Sequence, residues 1–297
     1  MSEQDKFEAE DVTSIQSSEL PTQPYNGSKM ETHIPPSDLH SFQIGTGSSV
    51  GRQREHNEDA LFAMSTNLVT NRVALPLGLF IVADGMGGHA HGEKASELAI
   101  QGMVSSVLPE LTPYTLGLVK EINEKNLREI MERGIHTAHS SIQENATGGG
   151  STLTALLLVD EILIIAHIGD SRAYHFDGES SPRILTTDHS LVKRLEDLGQ
   201  ITADEAAIHP QRNVLYRALG QVEHVDAEII SMVVPSNGYL VVCSDGLWGE
   251  VPGEEIARII SKSSNPQQAS MALLAAANAA GGPDNISVIV IKIPKNP

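Results

Sequence analysis

The 297-residue chain has one cysteine, Cys243. No disulfide can form within it, which suits a reducing compartment. Cations are scarce: 20 Lys and Arg stand against 38 Asp and Glu, a formal net charge of -18. So acidic a chain does not offer the basic face that nucleic acid or an anionic membrane requires. Long apolar runs are also missing, and the longest fall well short of the roughly 18 to 20 residues of a membrane span. Met1-Ser2-Glu3-Gln4-Asp5 is acidic and polar, so no signal peptide is expected. No lysine follows the glycines of Thr147 to Thr152, and a strand is expected next, so a nucleotide phosphate loop is disfavoured. The glycines of Gly45 to Gly51 are spaced somewhat like a dinucleotide loop, but a charged stretch follows instead of an amphipathic helix. These absences predict a soluble, cytoplasmic monomer.

What is present is an unusual series of strand ends. Leu77 to Ala83 is an apolar run, the mark of a strand buried on both faces. It stops on Asp84-Gly85, with Gly87 and Gly88 following. Tyr239 to Ser244 is a second such run and stops on Asp245-Gly246. Gly281-Gly282-Pro283-Asp284-Asn285 precedes a third strand, Ile286 to Ile293. If that strand runs antiparallel to the others, Asp84, Asp245 and Asp284 gather at one end of one sheet system. Three bare carboxylates there would repel or stay protonated. A divalent cation resolves the conflict, and all-oxygen ligands point to Mg²⁺ or Mn²⁺. Asp170, after the apolar run Ile162 to Ile168, is a fourth acid at a strand end.

The rest of the chain reads in order. Residues 1–39 are rich in Ser, Thr, Glu and Pro and poor in large apolar residues, which predicts a disordered acidic tail ahead of a domain over 40–297. Strands are expected at Ser41 to Ile44 and Ala60 to Met64. Ala95, Leu98, Ala99, Met103 and Val107 repeat at helical spacing, and Pro109 and Pro113 are expected to break that helix. A second helix is expected from about Thr115 to Asn145. Thr152 to Val159 and Ile162 to Ile168 form a hairpin over Asp160-Glu161. Residues 185–222 change character. Three short helical pieces are expected there, around Leu191 to Leu198, after Thr202 with Glu205 as its capping-box partner, and over Asn213 to Leu219. They suggest a mobile, flap-like insert over the site. Helices after Pro252 and over Gln267 to Ala280 complete the pattern. Cys243 and Trp248 read as packing residues.

Six motifs occur in one order: Arg54 with Asn57-Glu58-Asp59, Asp84-Gly85-Met86-Gly87-Gly88-His89, Gly150-Ser151-Thr152, Gly169-Asp170-Ser171-Arg172, Ser244-Asp245-Gly246, and Gly282-Pro283-Asp284-Asn285. Taken together they closely resemble the bacterial form of the metal-dependent Ser/Thr protein phosphatases of type 2C, from about residue 41 to 293. The resemblance implies an α+β fold, a four-layer αββα sandwich of two antiparallel sheets flanked by helix pairs. It implies hydrolysis of phosphoserine and phosphothreonine in proteins, opposing a Ser/Thr kinase.

Residue roles follow from the same resemblance. Asp84 would bridge two Mn²⁺ or Mg²⁺ ions, and the Gly85 carbonyl would bind one of them. Asp245 and Asp284 would complete the other, and Glu58 would act through a water. Asp59 and Asn285 would orient neighbours without touching metal. Asp170 would help hold a third, weaker ion. Arg54 would grip the phosphate with its planar fork. A water activated between the metals would attack phosphorus in line. Met86 stands where relatives from higher organisms carry a histidine and has no proton to donate. His89 is the nearby candidate for the general acid, with water as the alternative.

Overall fold

The computed structural model describes residues 42–69, 74–88, 90–116, 118, 122–178, 182–221 and 223–293. The tail expected over 1–39, Ser41 and His89 lie outside the described residues.

Two antiparallel sheets lie face to face. One runs in the order β1 (Gln43–Ser49), β11 (Ile286–Lys292), β10 (Tyr239–Cys243), β7 (Arg172–Phe176) and β8 (Arg183–Ile184). The other runs β2 (Asp59–Val69), β3 (Ala74–Met86), β5 (Leu153–Val159), β6 (Ile162–Ile168) and β9 (Glu228–Val233), with β4 (Gly150–Ser151) beside the end of β3. Helices α1 (Ala90–Thr115) and α2 (Glu124–Asn145) cover the second sheet. Helices α5 (Asp245–Trp248), α6 (Gly253–Lys262) and α7 (Pro266–Ala280) cover the first. Two short helices, α3 (Leu191–Asp197) and α4 (Ala203–Ala207), lie in the segment between β8 and β9.

The alternation within each strand explains the uninterrupted apolar runs. Phe80 and Val82 face the opposite sheet, with Leu240, Val242 and Ile289 coming from the other side. Leu79, Ile81 and Ala83 face α1 and α2. Val241 and Cys243 face the other helix layer. Both faces of each central strand are covered, so no position needs a polar residue. The result is the four-layer αββα sandwich the resemblance implied.

Several local expectations are corrected. Helix α1 is not broken at its prolines but runs through Pro109 and Pro113 to Thr115. Its late residues Leu111 and Tyr114 are buried in the same core as Met103 and Val107, and this packing holds the helix past two missing N–H donors. Helix α2 begins at Glu124, not near Thr115, because the Asn123 side chain caps it by accepting from Lys125 N–H at 2.9 Å. Strand β1 extends through Gly45 and Gly47, which had looked like part of a loop. These glycines let α7 lie directly on the strand: a Cβ on Gly45 would stand 2.0 Å from the Pro266 carbonyl oxygen. Asn213 to Leu219 is not helical. Its residues form isolated bridges, Ser190 with Leu215 and Ser151 with Leu219. The Thr202–Glu205 capping box is present as expected.

Candidate metal centre and active site

Register brings the acids together. Asp59 opens β2 and pairs with Asp84 near the end of β3. In the other sheet Cys243 pairs with Val288 on one side and Arg172 on the other. The residues just beyond that end, Asp245, Asp284 and Asp170, therefore share one rim of the sandwich. A cavity of about 220 Å³ opens there. Arg54, Glu58, Asp84, Gly85, Asp170, Asp245, Asp284 and Asn285 all line it. Eight of the ten sequence-predicted residues thus meet at one place. Asp59 sits behind the cavity wall, and His89 lies outside the described residues.

The main chain holds this rim rigidly. The Asp84 N–H donates to Thr152 Oγ1 at 2.9 Å, and the Asp84 carbonyl accepts from Thr152 N–H at 2.8 Å. Gly85 N–H donates to the Glu58 carbonyl at 3.0 Å. A Cβ on Gly85 would fall 2.1 Å from the Gly92 carbonyl oxygen, so only glycine fits between these loops. Asn285 ties three stretches together. Its Oδ1 accepts from Glu58 N–H at 2.7 Å, and its Nδ2 donates to the carbonyls of Val50 (2.9 Å) and His56 (2.8 Å). Asp59 Oδ2 accepts from Ser244 Oγ at 2.7 Å, linking the two sheets directly behind Asp84 and Asp245.

The electrostatics are strained. Burial first, and then the charges of Asp59, Asp245, Asp170 and Asp284, raise the Asp84 pKa well above the usual carboxylate range. Burial and Asp245 do the same to Asp170. Burial raises Asp59 and Asp245 as well. Asp245 Oδ1 and Asp59 Oδ1 are buried with no hydrogen-bond donor. Among the described residues, no three His, Cys, Asp or Glu close into a ready-made metal-holding group. Arg54 meets Asp284 at 2.7 Å at the rim of the cavity. Like charges, oxygen-only donors and orphaned carboxylate oxygens fit a hard divalent cation.

Comparison with known proteins agrees. The profile of the family described as Protein phosphatase 2C matches residues 46–276. The serine/threonine phosphatase stp of Listeria innocua is 35% identical over 243 residues, 82% of this chain and 92% of that protein. The protein phosphatase PhpP of Streptococcus pneumoniae is 34% identical over 254 residues, covering 85% and 98%. The chain belongs to the protein phosphatase 2C family. Among solved structures, the S. agalactiae serine/threonine phosphatase superposes with a TM-score of 0.70 at 31% identity, over 85% of this chain and 99% of that one. The catalytic domain of the phosphatase PstP, solved with two manganese ions, superposes at 0.66 with 28% identity, over 86% and 99%.

Other residues take parts that sequence reasoning missed. Asn213 and Leu215, from the segment between β8 and β9, also line the cavity. Arg172 makes no ion pair with Asp170, its neighbour in the motif. It grips Asp188 with two hydrogen bonds, at 2.9 and 2.7 Å, and its guanidinium lies 3.5 Å from the centre of the Trp248 ring. The Trp248 indole N–H donates to the Asp170 carbonyl at 3.0 Å. Nothing local in Asp188-His189-Ser190 points to β7 as its partner. Burial pushes the Cys243 thiol up to about 12, so it is no nucleophile.

Proposed function

We infer that this protein hydrolyses phosphoserine and phosphothreonine in other proteins, opposing a Ser/Thr protein kinase of the same cell. The observation that carries the reading is the convergence of Asp84, Asp170, Asp245 and Asp284 with Arg54 around one cavity. Asp84, Asp245 and Asp284, with the Gly85 carbonyl and Glu58, would hold two Mn²⁺ or Mg²⁺ ions, and Asp170 with Asp245 a weaker third. Such ions, when bound, supply an activated water near neutral pH and polarise the phosphoryl oxygens.

The remaining chemistry belongs to the chain. Arg54 is half-exposed at the rim, and its guanidinium can exchange Asp284 for two phosphate oxygens. Thr152 and Asn285 keep Asp84 and Glu58 from shifting as charge develops. Met86 lines the cavity but offers no proton, so a proton for the departing Ser or Thr oxygen comes from His89 or from solvent. A cytoplasmic monomer is part of the proposal, and the single buried cysteine supports the compartment.

The test is hydrolysis of p-nitrophenyl phosphate and of a phosphothreonine peptide with Mn²⁺, with Asp84→Asn as control. Turnover that needs metal and disappears in the variant is expected. Absence of turnover in folded, Mn²⁺-saturated protein would sink the reading.

A further inference from the structure

A second and larger hollow, about 780 Å³, opens beside the acidic cavity. It shares Arg54, Asp170, Asn213, Asp245 and Asp284 with that cavity, so the two are continuous. One wall comes from the segment between β8 and β9, with Val192, Ala206 and Arg212. The other comes from the sandwich, with Ile184, Trp248 and Glu250. A small phosphate ester needs only the inner cavity. The outer volume lies within the range that takes ligands of several hundred daltons.

The charges of this groove are unequally satisfied. Arg54 is taken by Asp284 at 2.7 Å. Arg172 is taken by Asp188 and lies over the Trp248 ring, which turns a cation into part of a neutral floor. Lys193 is held by Glu196 and Asp197, each at 3.1 Å. Among the described residues, Arg212 has no carboxylate partner and Glu250 on the opposite wall has no cationic one. Ile184 is a large apolar side chain left 49% exposed on this floor.

We propose that this groove binds the polypeptide next to the phosphorylated residue and selects substrates with an apolar side chain over Ile184 and Trp248 and an acidic side chain at Arg212. This rests on the phosphatase reading above. The apolar contact supplies affinity, and the Arg212 charge supplies selectivity, with Glu250 disfavouring an acid placed on the far wall.

The experiment compares kcat/KM over a library of phosphothreonine peptides, in which each flanking position is in turn Ala, Leu, Asp or Lys, with p-nitrophenyl phosphate as the small substrate. Wild type is expected to favour Asp over Ala at one flanking position by about fivefold and Leu over Ala at another by a similar factor. Arg212→Glu should abolish or reverse the Asp preference, and Ile184→Glu should abolish the Leu preference. Both variants should hydrolyse p-nitrophenyl phosphate within about twofold of wild type. An indifferent wild type, or variants with unchanged preferences, would overturn the proposal. Loss of all turnover, p-nitrophenyl phosphate included, counts against the phosphatase reading alone. In that event, fluorescence anisotropy of a labelled Leu- and Asp-containing peptide decides the groove: weaker binding to Ile184→Glu than to wild type supports it, and equal binding rejects it.

Discussion

Asp84 lies near the end of β3, whose residues Leu79 to Ala83 are fully buried, and its N–H and carbonyl are both bonded to Thr152. Across the opening, the segment holding α3 and α4 is built differently. Leu198, Ile208, Val214 and Tyr216 stand exposed there, Ile208 at 81%, and α4 has no buried residue. One side is a closed frame that forces several carboxylates into a small volume. The other is held at its two ends, by Arg172 on Asp188, by His189 N–H on the Gly169 carbonyl at 2.7 Å and by the Ser151–Leu219 bridge, and its middle is exposed. Crowded charge is tolerated only where the surrounding packing cannot relax, whereas a surface that must accept varied chains does better with sparse contacts.

The sharpest way to break this contrast is at Asp84. Asp84→Asn should lower kcat by about a thousandfold, because the acid central to the cluster is lost. The same change removes a desolvated charge facing other acids, so the melting temperature of metal-free protein should rise by a few degrees. A fall would show that the frame does not store this repulsion. Next comes Arg54→Ala, expected to raise KM for p-nitrophenyl phosphate about tenfold with a smaller change in kcat.

The frame also carries a pH signature away from the acids. His167 is buried, its Nε2 donating to the Thr187 carbonyl at 3.0 Å and its Nδ1 meeting Thr154 Oγ1 at 2.9 Å. Burial, then the neighbouring His189, lowers its pKa to about 3. The unfolded chain therefore takes up a proton near pH 6.5 that the folded one refuses. Stability from His167 is present above that pH and is lost as pH falls toward 3. Between pH 7 and 5 wild type should lose about 2 kcal/mol more than His167→Asn in urea unfolding. Equal losses would place the acid sensitivity elsewhere.

The smallest effect lies at the joint between the two regions. Trp248→Phe keeps the ring under Arg172 but deletes the N–H to the Asp170 carbonyl. It should raise the Mn²⁺ concentration for half-maximal activity by about threefold, with calorimetric Mn²⁺ titration showing the same weakening. No shift in either would make that hydrogen bond incidental.

Much of this was legible in the linear chain. The apolar runs of β3, β10 and β11 could only be doubly covered strands, and acids at their ends could only be costly or functional. The misjudged places have a common cause. Gly45 and Gly47 looked like a loop because the reason for them, α7 lying on β1, is far off in sequence: Gly45 abuts Pro266 and Gly47 abuts Leu274. Pro109 and Pro113 looked like breakers because the burial that overrides them comes from packing against α2. The partners of Arg172 were not legible because Asp188 and Trp248 reach it only in three dimensions.

By itself, then, the order of residues determined which segments are strands buried on both faces, which acids follow them, and the family to which their spacing belongs, since these depend on local pattern and neighbouring side chains. Tertiary structure alone decided that Asp284 would meet Arg54, that Ser244 would tie Asp59 across the sheets, and that Arg212 would face a groove without a partner. Those outcomes depend on register and on close approach between distant segments, which no local preference encodes.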